Sequence, residues 1–192
     1  MLFRMRGCAS NAKPKRKMRS SGGKQQLFWA LGGSVVLLDV FTKILAVANL
    51  SRIPRPVLGD WLTLQLVYNP GAAFGINVGQ YSRWVFFGLA VIALVVLGSM
   101  VRHTKPTDRL RLTALALVCG GAVGNLIDRV RSARGVIDFI DVGIGVHRWP
   151  TFNVADMAVT VGAVVLAIVL WIEGRDAAGT VAEPSGAADI AP

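Results

Sequence analysis

Residues 84–101, WVFFGLAVIALVVLGSMV, form a stretch of 18 residues without a single charged side chain. An α-helix rises about 1.5 Å per residue, so roughly 20 apolar residues cross the hydrocarbon core of a bilayer. The stretch therefore predicts a transmembrane helix.

Three further segments have a similar length and polarity: residues 27–48, which include Asp39 and Lys43, residues 110–127 and residues 154–172. Of the 192 residues, 53% are hydrophobic and only 17% are charged, a composition too apolar for an ordinary soluble domain. We therefore expect an all-α integral membrane protein with four transmembrane helices.

The basic residues predict how these helices are oriented. Eight of the 21 Lys and Arg residues lie within the first 24 positions, where there is no acidic residue. By the positive-inside rule, this tail and the basic connection at 102–111 stay in the cytoplasm, which places both termini there. Four arginines in the outer connection 129–151 weaken this signal. Because the rest of the chain is nearly balanced in charge, the tail favours contact with anionic lipid and not with nucleic acid.

The first outer connection, about residues 49–83, has the pattern of a small sheet. Apolar and polar residues alternate over 61–66, which is the period of a half-buried strand, and the segment 69–71, NPG, interrupts it as a turn would. We expect an antiparallel β-sheet on the outer membrane face. Aromatic side chains should lie at the headgroup level: Trp61, Tyr68, Tyr81 and Trp84.

The polarity of the chain also divides it into regions. We expect a membrane domain over residues 26–174. The segments 1–25 and 175–192 contain few large apolar residues, which predicts disordered tails.

Three aspartates lie where two apolar segments approach the same membrane surface: Asp128, Asp138 and Asp156. An ionisable group beside hydrocarbon costs at least about 2.5 kcal/mol on insertion scales, so such a residue is a candidate for function. Asp156 lies near a helix N-terminus, where the helix dipole favours an anion. An alternative is a purely structural N-terminal cap, a role that Asn153 alone could fill.

Other polar residues share helix faces with these acids. Asn125 lies three residues before Asp128 and four before Arg129, hence on one face. Gly120 and Gly124 form a small-xxx-small pattern, which allows a neighbouring helix to approach closely. The alternative is that Asp128 and Arg129 only terminate and solvate the helix.

Asp39 and Lys43 are four residues apart in the first helix. This spacing places them on one face and predicts an intrahelical ion pair. We favour this structural role over direct chemistry, because a paired acid leaves little free acid or base.

Asp138 has bulky apolar neighbours on both sides, in the sequence VIDFI at 136–140. Desolvation there would raise its pKa, as a general acid requires. The alternative is a strand with alternating faces in which the carboxylate points to water. Asp141 fits that alternative better than Asp138 does.

Other kinds of chemistry are less favoured. His103 and His147 lie on opposite predicted sides of the membrane, which argues against a two-histidine metal site. Cys119 lies in an apolar helix without a histidine base. We expect the protein to need neither a metal nor an organic cofactor.

Five motifs occur in order along the chain: DVFTK at 39–43, NPGAAFG at 69–75, GGAVGNLIDR at 120–129, VIDF at 136–139 and FNVAD at 152–156. Together they resemble signal peptidase II, the bacterial lipoprotein signal peptidase family. The resemblance covers about residues 27–173 and agrees in motif order and in the four-helix layout. Val40 and Pro70 stand where the family commonly has glutamine and threonine, and neither departure removes a group that the chemistry needs.

The resemblance implies an aspartic endopeptidase that removes signal peptides from diacylglyceryl-modified prolipoproteins by cutting before the lipid-modified cysteine. It implies a site near the outer face of the bacterial inner membrane. We expect a monomer that contacts membrane lipid. The catalytic pair carries over to Asp138 and Asp156. Positions that bind substrate or support the site carry over to Asp39, Lys43, Asn69, Gly121, Asn125, Asp128, Arg129, Val136, Asn153 and Ala155.

Asp128 is the alternative partner of Asp156. Arg129 and Arg131 should hold Asp128 ionised, which suits a supporting role, whereas the apolar neighbours of Asp138 suit a carboxyl that gains and loses a proton. Two other classes of protein also stay open. A proton-coupled transporter would place its charges near the bilayer midplane and contain repeats. A membrane scaffold would leave the costly polar residues unexplained.

Overall fold

The structure is a computed structural model that describes residues 21–71 and 79–181. Four long helices form a bundle, and a small sheet covers one end of it. The helices are α1 (Ser21–Asn49), α2 (Ser82–His103), α3 (Arg109–Arg131) and α4 (Val154–Val181), and a short 3-10 turn, Gly79–Tyr81, precedes α2. Each of the four is long and apolar enough to cross a membrane, which confirms the predicted helices.

Two helices extend beyond the hydrophobic segments. Residues 21–25 and 175–181, which we assigned to disordered tails, are helical. A helix, once nucleated, adds residues at little cost, and Lys24 holds the first turn of α1 in place. Its Nζ donates to the carbonyl oxygens of Arg102, at 3.1 Å, and Thr104, at 2.6 Å. The predicted disorder of 1–20 and 182–192 concerns segments outside the described residues.

α3 is the central helix, because it packs against α1, α2 and α4. Its side chains Leu112 and Leu115 are completely buried. Large apolar side chains on the outer faces of the bundle, such as Leu37 on α1 and Ile92 on α2, are exposed instead. An extensive apolar surface of this kind suits a protein whose outer faces contact lipid.

Glycines allow α1 and α3 to lie close together. A Cβ atom at Gly120 would lie 2.7 Å from the carbonyl oxygen of Gly32 on α1, and one at Gly124 would lie 2.5 Å from Asp39 Oδ2. Real Cβ atoms do not approach other atoms this closely. The predicted role of Gly120 and Gly124 in close helix packing is therefore confirmed.

The sheet is antiparallel and its strands follow the order β1 (Arg55–Leu58), β2 (Leu62–Asn69), β3 (Val136–Ile144) and β4 (His147–Arg148). The alternating pattern of the first outer connection forms β2, as predicted. We derived the sheet from that connection alone, whereas β3 and β4 come from the second one. The register runs from Leu62 opposite Val142 to Asn69 opposite Val136. Both connections are therefore needed to build the sheet.

The hydrogen bonding of β3 has an unusual pattern near its middle. The N–H groups of Phe139 and Ile140 both donate to the carbonyl oxygen of Phe152, at 3.0 and 2.8 Å. These two hydrogen bonds directly follow Asp138 and tie this part of β3 to the segment that leads into α4. On the other side of β3, Leu64 lies opposite Ile140 and Val67 opposite Asp138, so β2 has one extra residue here, which is a β-bulge.

Gly162 on α4 tests how far the bundle depends on close helix contact. Its added Cβ would lie 2.7 Å from Val118 Cγ2 and 2.8 Å from the Ala114 carbonyl oxygen. Gly162→Ala should therefore lower the free energy of unfolding by about 1–3 kcal/mol through overpacking. The loss should occur although alanine is the better helix former by roughly 1 kcal/mol.

Thermal unfolding in detergent measures this effect. Gly88→Ala on α2 is the matched control, because an added Cβ there meets no atom within 4 Å. It should leave the transition temperature unchanged or raise it. Equal transition temperatures for the two variants would contradict the packing argument.

Candidate active site

The start of α4 positions the first of the two candidate catalytic carboxylates. Asn153 Oδ1 accepts a hydrogen bond from the Asp156 N–H at 2.9 Å, and Asp156 Oδ2 accepts one from the Asn153 N–H at 3.3 Å. This reciprocal arrangement is a capping box, which satisfies two N–H groups that a helix leaves unpaired at its N-terminus. The capping role considered for Asn153 is therefore present. Asp156 takes part in the capping box through Oδ2, which leaves its Oδ1 atom for other contacts.

That other oxygen is bound by α3. Asn125 Nδ2 donates to Asp156 Oδ1 at 2.7 Å. The Asn125 Oδ1 atom accepts from Lys43 Nζ at 3.0 Å and from Asn153 Nδ2 at 3.1 Å. The Asn125 amide therefore joins α1, α3 and the start of α4 at one point.

The second candidate carboxylate, Asp138, lies on β3 and is only 2% exposed. Its Oδ1 atom accepts from Asn153 Nδ2 at 2.6 Å, and its Oδ2 atom accepts from Asn69 Nδ2 at 3.1 Å. The alternative in which Asp138 points to water is therefore wrong. Asn153 binds Asp138 through Nδ2 and Asp156 through its main chain and Oδ1, so one residue contacts both carboxylates.

The surroundings of Asp138 oppose its ionisation. Burial, followed by the negative charge of Asp156, raises the pKa of Asp138 from 3.8 to about 7. The hydrogen bonds from Asn69 and Asn153 and the charge of Lys43 act in the opposite direction and are outweighed. The rise that we predicted from the apolar neighbours is thus confirmed, and the effect of Asp156 reflects the proximity of the two acids.

The buried ammonium group of Lys43 contacts several polar side chains next to the two candidate acids. Lys43 Nζ lies 2.7 Å from Asp39 Oδ2 and 2.7 Å from Asp128 Oδ2, and it also donates to Asn125 Oδ1. The predicted ion pair of Asp39 and Lys43 is confirmed. We expected Arg129 and Arg131 to hold Asp128 ionised, but its ion-pair partner is Lys43, because α1 and α3 approach closely at this level.

The two carboxylates beside Lys43 also hold the elements that carry the catalytic candidates. Asp39 Oδ1 accepts from the Ala155 N–H at 2.9 Å, in the first turn of α4. Asp128 Oδ2 accepts from the Ile137 N–H at 3.1 Å, next to Asp138 in β3. Asp39 and Asp128 therefore each connect Lys43 to a main-chain N–H group next to a candidate acid.

Arg129 brings a positive charge to the site. Its Nη1 atom donates to the carbonyl oxygen of Asn125 at 3.0 Å, and among the acids its charge interacts most strongly with Asp156. Sequence reasoning missed a second arginine, Arg83 on α2. It donates to the carbonyl oxygens of Arg129, at 2.5 Å, and Val130, at 3.1 Å, and so satisfies carbonyl groups at the end of α3.

Asp141 does not face water as we expected. It is 2% exposed, and both of its carboxylate oxygens accept from Arg148 Nε, at 2.9 and 2.8 Å. Thr63 Oγ1 and Gln65 Nε2 also donate to it, at 2.9 and 3.1 Å. Asp141 therefore links β2, β3 and β4, and no pattern within β3 alone indicates its distant partners.

A cavity of about 770 Å³ lies beside the two acids. Its polar lining includes five predicted site residues, Asn69, Asn125, Arg129, Asp138 and Asp156, together with Thr151 and Thr160. Apart from Val136, its apolar and aromatic lining was not predicted to belong to the site, and it includes Val67, Tyr68, Trp149, Phe152, Met157 and Val159. Such a lining suits an extended, largely apolar peptide whose amide groups need polar partners.

Two predicted residues pack against each other beside this cavity. Gly121 lies so close to the carbonyl group of Ala155 that an added Cβ would collide with it, and Ala155 is fully buried. Both therefore serve the contact of α3 with α4. Positions 72–75 of the predicted loop motif lie outside the described residues.

Comparisons with known proteins place this fold in a family. The family described as signal peptidase (SPase) II matches residues 31–172, well over half of the chain. The chain belongs to the signal peptidase II family. The resemblance stated from five motifs is thus confirmed, and the protein is a peptidase of bacterial membranes.

Individual relatives agree with this assignment. A lipoprotein signal peptidase of Cupriavidus taiwanensis is 44% identical over 164 residues, which are 82% of this chain and 91% of that protein. One of Burkholderia mallei is 41% identical over 155 residues, 79% of this chain and 92% of that protein. The relationship therefore extends over nearly the whole length of these signal peptidases.

Two solved structures, each described as a bacterial membrane enzyme studied by the in meso method, have a similar fold. The one at 2.3 Å resolution has a TM-score of 0.69 and 28% identity, and the match covers 84% of this chain and 94% of that one. The one at 1.9 Å has a TM-score of 0.63 and 31% identity over 74% of this chain and 91% of that one. The arrangement of the helices and the sheet is therefore similar to that of these two bacterial membrane enzymes.

Lys43→Met tests whether the buried ammonium supports the site. The change leaves Asp39 and Asp128 close together without their shared cation, so we expect the free energy of unfolding to fall by about 3–5 kcal/mol. Thermal unfolding in detergent at neutral pH measures the loss. Lys105→Met, at an exposed position between α2 and α3, is the control. Equal stability of the two variants would show that Lys43 does not hold the site together.

Proposed function

We propose that Asp138 and Asp156 are the catalytic pair with which this signal peptidase II, as an aspartic endopeptidase, removes signal peptides from prolipoproteins. The observation that carries the proposal is the side chain of Asn153, which hydrogen bonds to Asp138 while Asn153 and Asp156 cap α4 together. Two acids held this close cannot readily both ionise, so they share one proton. Such a pair can act as acid and base in one reaction.

The two acids differ in which protonation state the protein favours. Asp138 holds the shared proton, because burial and the neighbouring negative charge raise its pKa to about 7. Asp156 is the anion. It accepts hydrogen bonds from Asn125 and Asn153, lies at the N-terminus of α4 and is near the charge of Arg129, all of which stabilise a carboxylate.

The reaction then follows from these two states. Asp156 takes a proton from a water molecule as the water oxygen bonds to the carbon of the scissile carbonyl group. Asp138 donates its proton to the oxyanion that develops. When the tetrahedral intermediate collapses, its carbon–nitrogen bond breaks, Asp156 returns its proton to the leaving amine, and Asp138 regains a proton from the hydroxyl group.

The cavity supports a particular placement of the substrate. We place the bond that precedes the diacylglyceryl-modified cysteine beside the two acids, with the signal helix and the acyl chains in lipid. Asn69 and Arg129 line the cavity and are the candidates that bind the peptide backbone, and Val136 forms part of its wall. In this arrangement the site is near the outer membrane face, both termini are cytoplasmic, and the chain acts as a monomer.

Replacing either acid tests the pair. Asp138→Asn and Asp156→Asn should each lower the cleavage rate of a diacylglyceryl-modified prolipoprotein in detergent by at least about 10²-fold, since each removes a proton-transfer group. Mass spectrometry of the products also locates the cut, which we expect directly before the modified cysteine. Thermal unfolding checks that the variants remain folded.

Two further variants make this test specific. Asp60→Asn alters an exposed acid that lies on the connection between β1 and β2 and should cleave like the wild type. Asp128→Asn keeps the pair intact and should retain measurable activity while losing stability. Activity of either pair variant equal to that of Asp60→Asn would refute the assignment, and complete inactivity of a folded Asp128→Asn would favour Asp128 as the partner of Asp156.

The raised pKa of Asp138 also predicts a pH dependence. Below a pH of about 7 Asp138 keeps its proton, and above it Asp138 loses the proton that it must donate, so the cleavage rate should fall as the pH rises through about 7. Asn69 stabilises the ionised form of Asp138, so Asn69→Ala should move this decline to higher pH. Asn49→Ala, in the exposed last turn of α1, should not move it. An unchanged decline in Asn69→Ala would contradict the role of Asp138 as the acid.

A further inference from the structure

A second large cavity lies away from the catalytic candidates. In the part of the chain that the structure describes, the backbones of α1 and α2 both pack against α3 but not against each other, and Lys24 of α1 reaches across to the Arg102 carbonyl oxygen of α2. The gap between the two helices is a groove of about 840 Å³, and its base is formed by residues of α3: Cys119, Gly120 and Val123. It runs along the first half of α1 and the last half of α2, away from the end that the sheet covers.

The walls of this groove are apolar and accessible from the lipid. Large side chains line it: Phe28, Trp29, Val36, Leu37, Leu94 and Val101. Trp29 is 70% exposed and Leu37 is 73% exposed, so the groove is open on one side. At Gly33 and Gly98 an added Cβ would meet no atom within 4 Å, which shows that the space beside these backbones is empty of protein. The shape and polarity suit a hydrocarbon chain.

Two positive charges lie at one end of the groove. Lys24 and Arg102 belong to its lining, and within 21–71 and 79–181 neither forms an ion pair with a carboxylate. Lys24 is held there by its hydrogen bonds to the carbonyl oxygens of Arg102 and Thr104. These acceptors are neutral and do not cancel the positive charge of the ammonium group. This end of the groove therefore attracts an anion.

We propose that the groove between α1 and α2 binds an anionic membrane phospholipid, with an acyl chain along the apolar walls and the phosphate at Lys24 and Arg102. A hydrocarbon chain joined to a negative headgroup is the chemistry that matches both parts of the groove. The signal peptide of a substrate does not match it, because its amino-terminal region is basic and the two cations would repel it. The proposal does not depend on the assignment of the catalytic pair.

Native mass spectrometry of the full chain in detergent tests the proposal. The delipidated protein is titrated with phosphatidylglycerol or with phosphatidylcholine of identical acyl chains. We expect phosphatidylglycerol to be retained roughly tenfold more strongly, because each Lys or Arg near an anionic headgroup contributes appreciably to binding. Equal retention of the two lipids would overturn the proposal.

Variants then locate the site. Lys24→Gln with Arg102→Gln should reduce the retention of phosphatidylglycerol to that of phosphatidylcholine. Lys105→Gln with Arg109→Gln removes one charge from the neighbouring connection and one from the first residue of α3, both outside the groove, and should keep most of the preference. If the two double variants behave alike, general surface charge and not this groove accounts for the binding.

Filling the groove provides a test that does not alter charge. Gly98→Leu should lower the retention of phosphatidylglycerol at least fivefold, whereas Gly88→Leu, on the same helix but outside the groove, should not. Both glycines have open space around an added Cβ, so both variants should fold. Cleavage of a lipid-modified prolipoprotein at the wild-type rate in detergent verifies this. Equal lipid retention by the two folded variants would refute the site.

Discussion

The ammonium group of Lys43 is the interaction on which the rest of the site depends. A buried charge is costly unless its partners satisfy it, and Lys43 has three: Asp39, Asp128 and Asn125. Each partner makes a further contact with another element. Asp39 and Asp128 accept from N–H groups at the starts of α4 and β3, and Asn125 donates to Asp156. One side chain of α1 thus sets the relative positions of a helix and a strand that carry the two candidate acids.

These two acids are of the same residue type but belong to different kinds of element, and this difference separates their chemistry. Asp156 lies in the first turn of α4, where N–H donors and the helix dipole stabilise an anion. Asp138 lies on a buried strand, where desolvation favours the neutral acid and raises its pKa. Asn153 connects the two environments directly. A helix terminus that meets a buried strand therefore gives two residues of the same type different tendencies to ionise, which is what the proposed base and acid require.

Three of the four arginines of the second outer connection, which weakened the topology signal, have specific partners in the fold. Arg148 pairs with the buried Asp141 and joins three strands. Arg129 brings its charge to the catalytic candidates, and the guanidinium of Arg134 lies 3.9 Å from the centre of the Tyr68 ring. Their frequency in this connection reflects local structure, whereas the positive-inside rule concerns charges that remain free near the membrane.

Much could be predicted from local sequence. Hydrophobic length determined the four helices, alternation determined β2, and a spacing of four residues determined the pair of Asp39 and Lys43. Each of these depends on neighbours within a few residues. The pairing of β2 with β3, the burial of Asp141 and the choice of Lys43 over Arg129 as the partner of Asp128 depend on segments that are distant in sequence. Only the tertiary structure decided them, because strand register and close helix packing select among partners that are equally compatible with the local pattern.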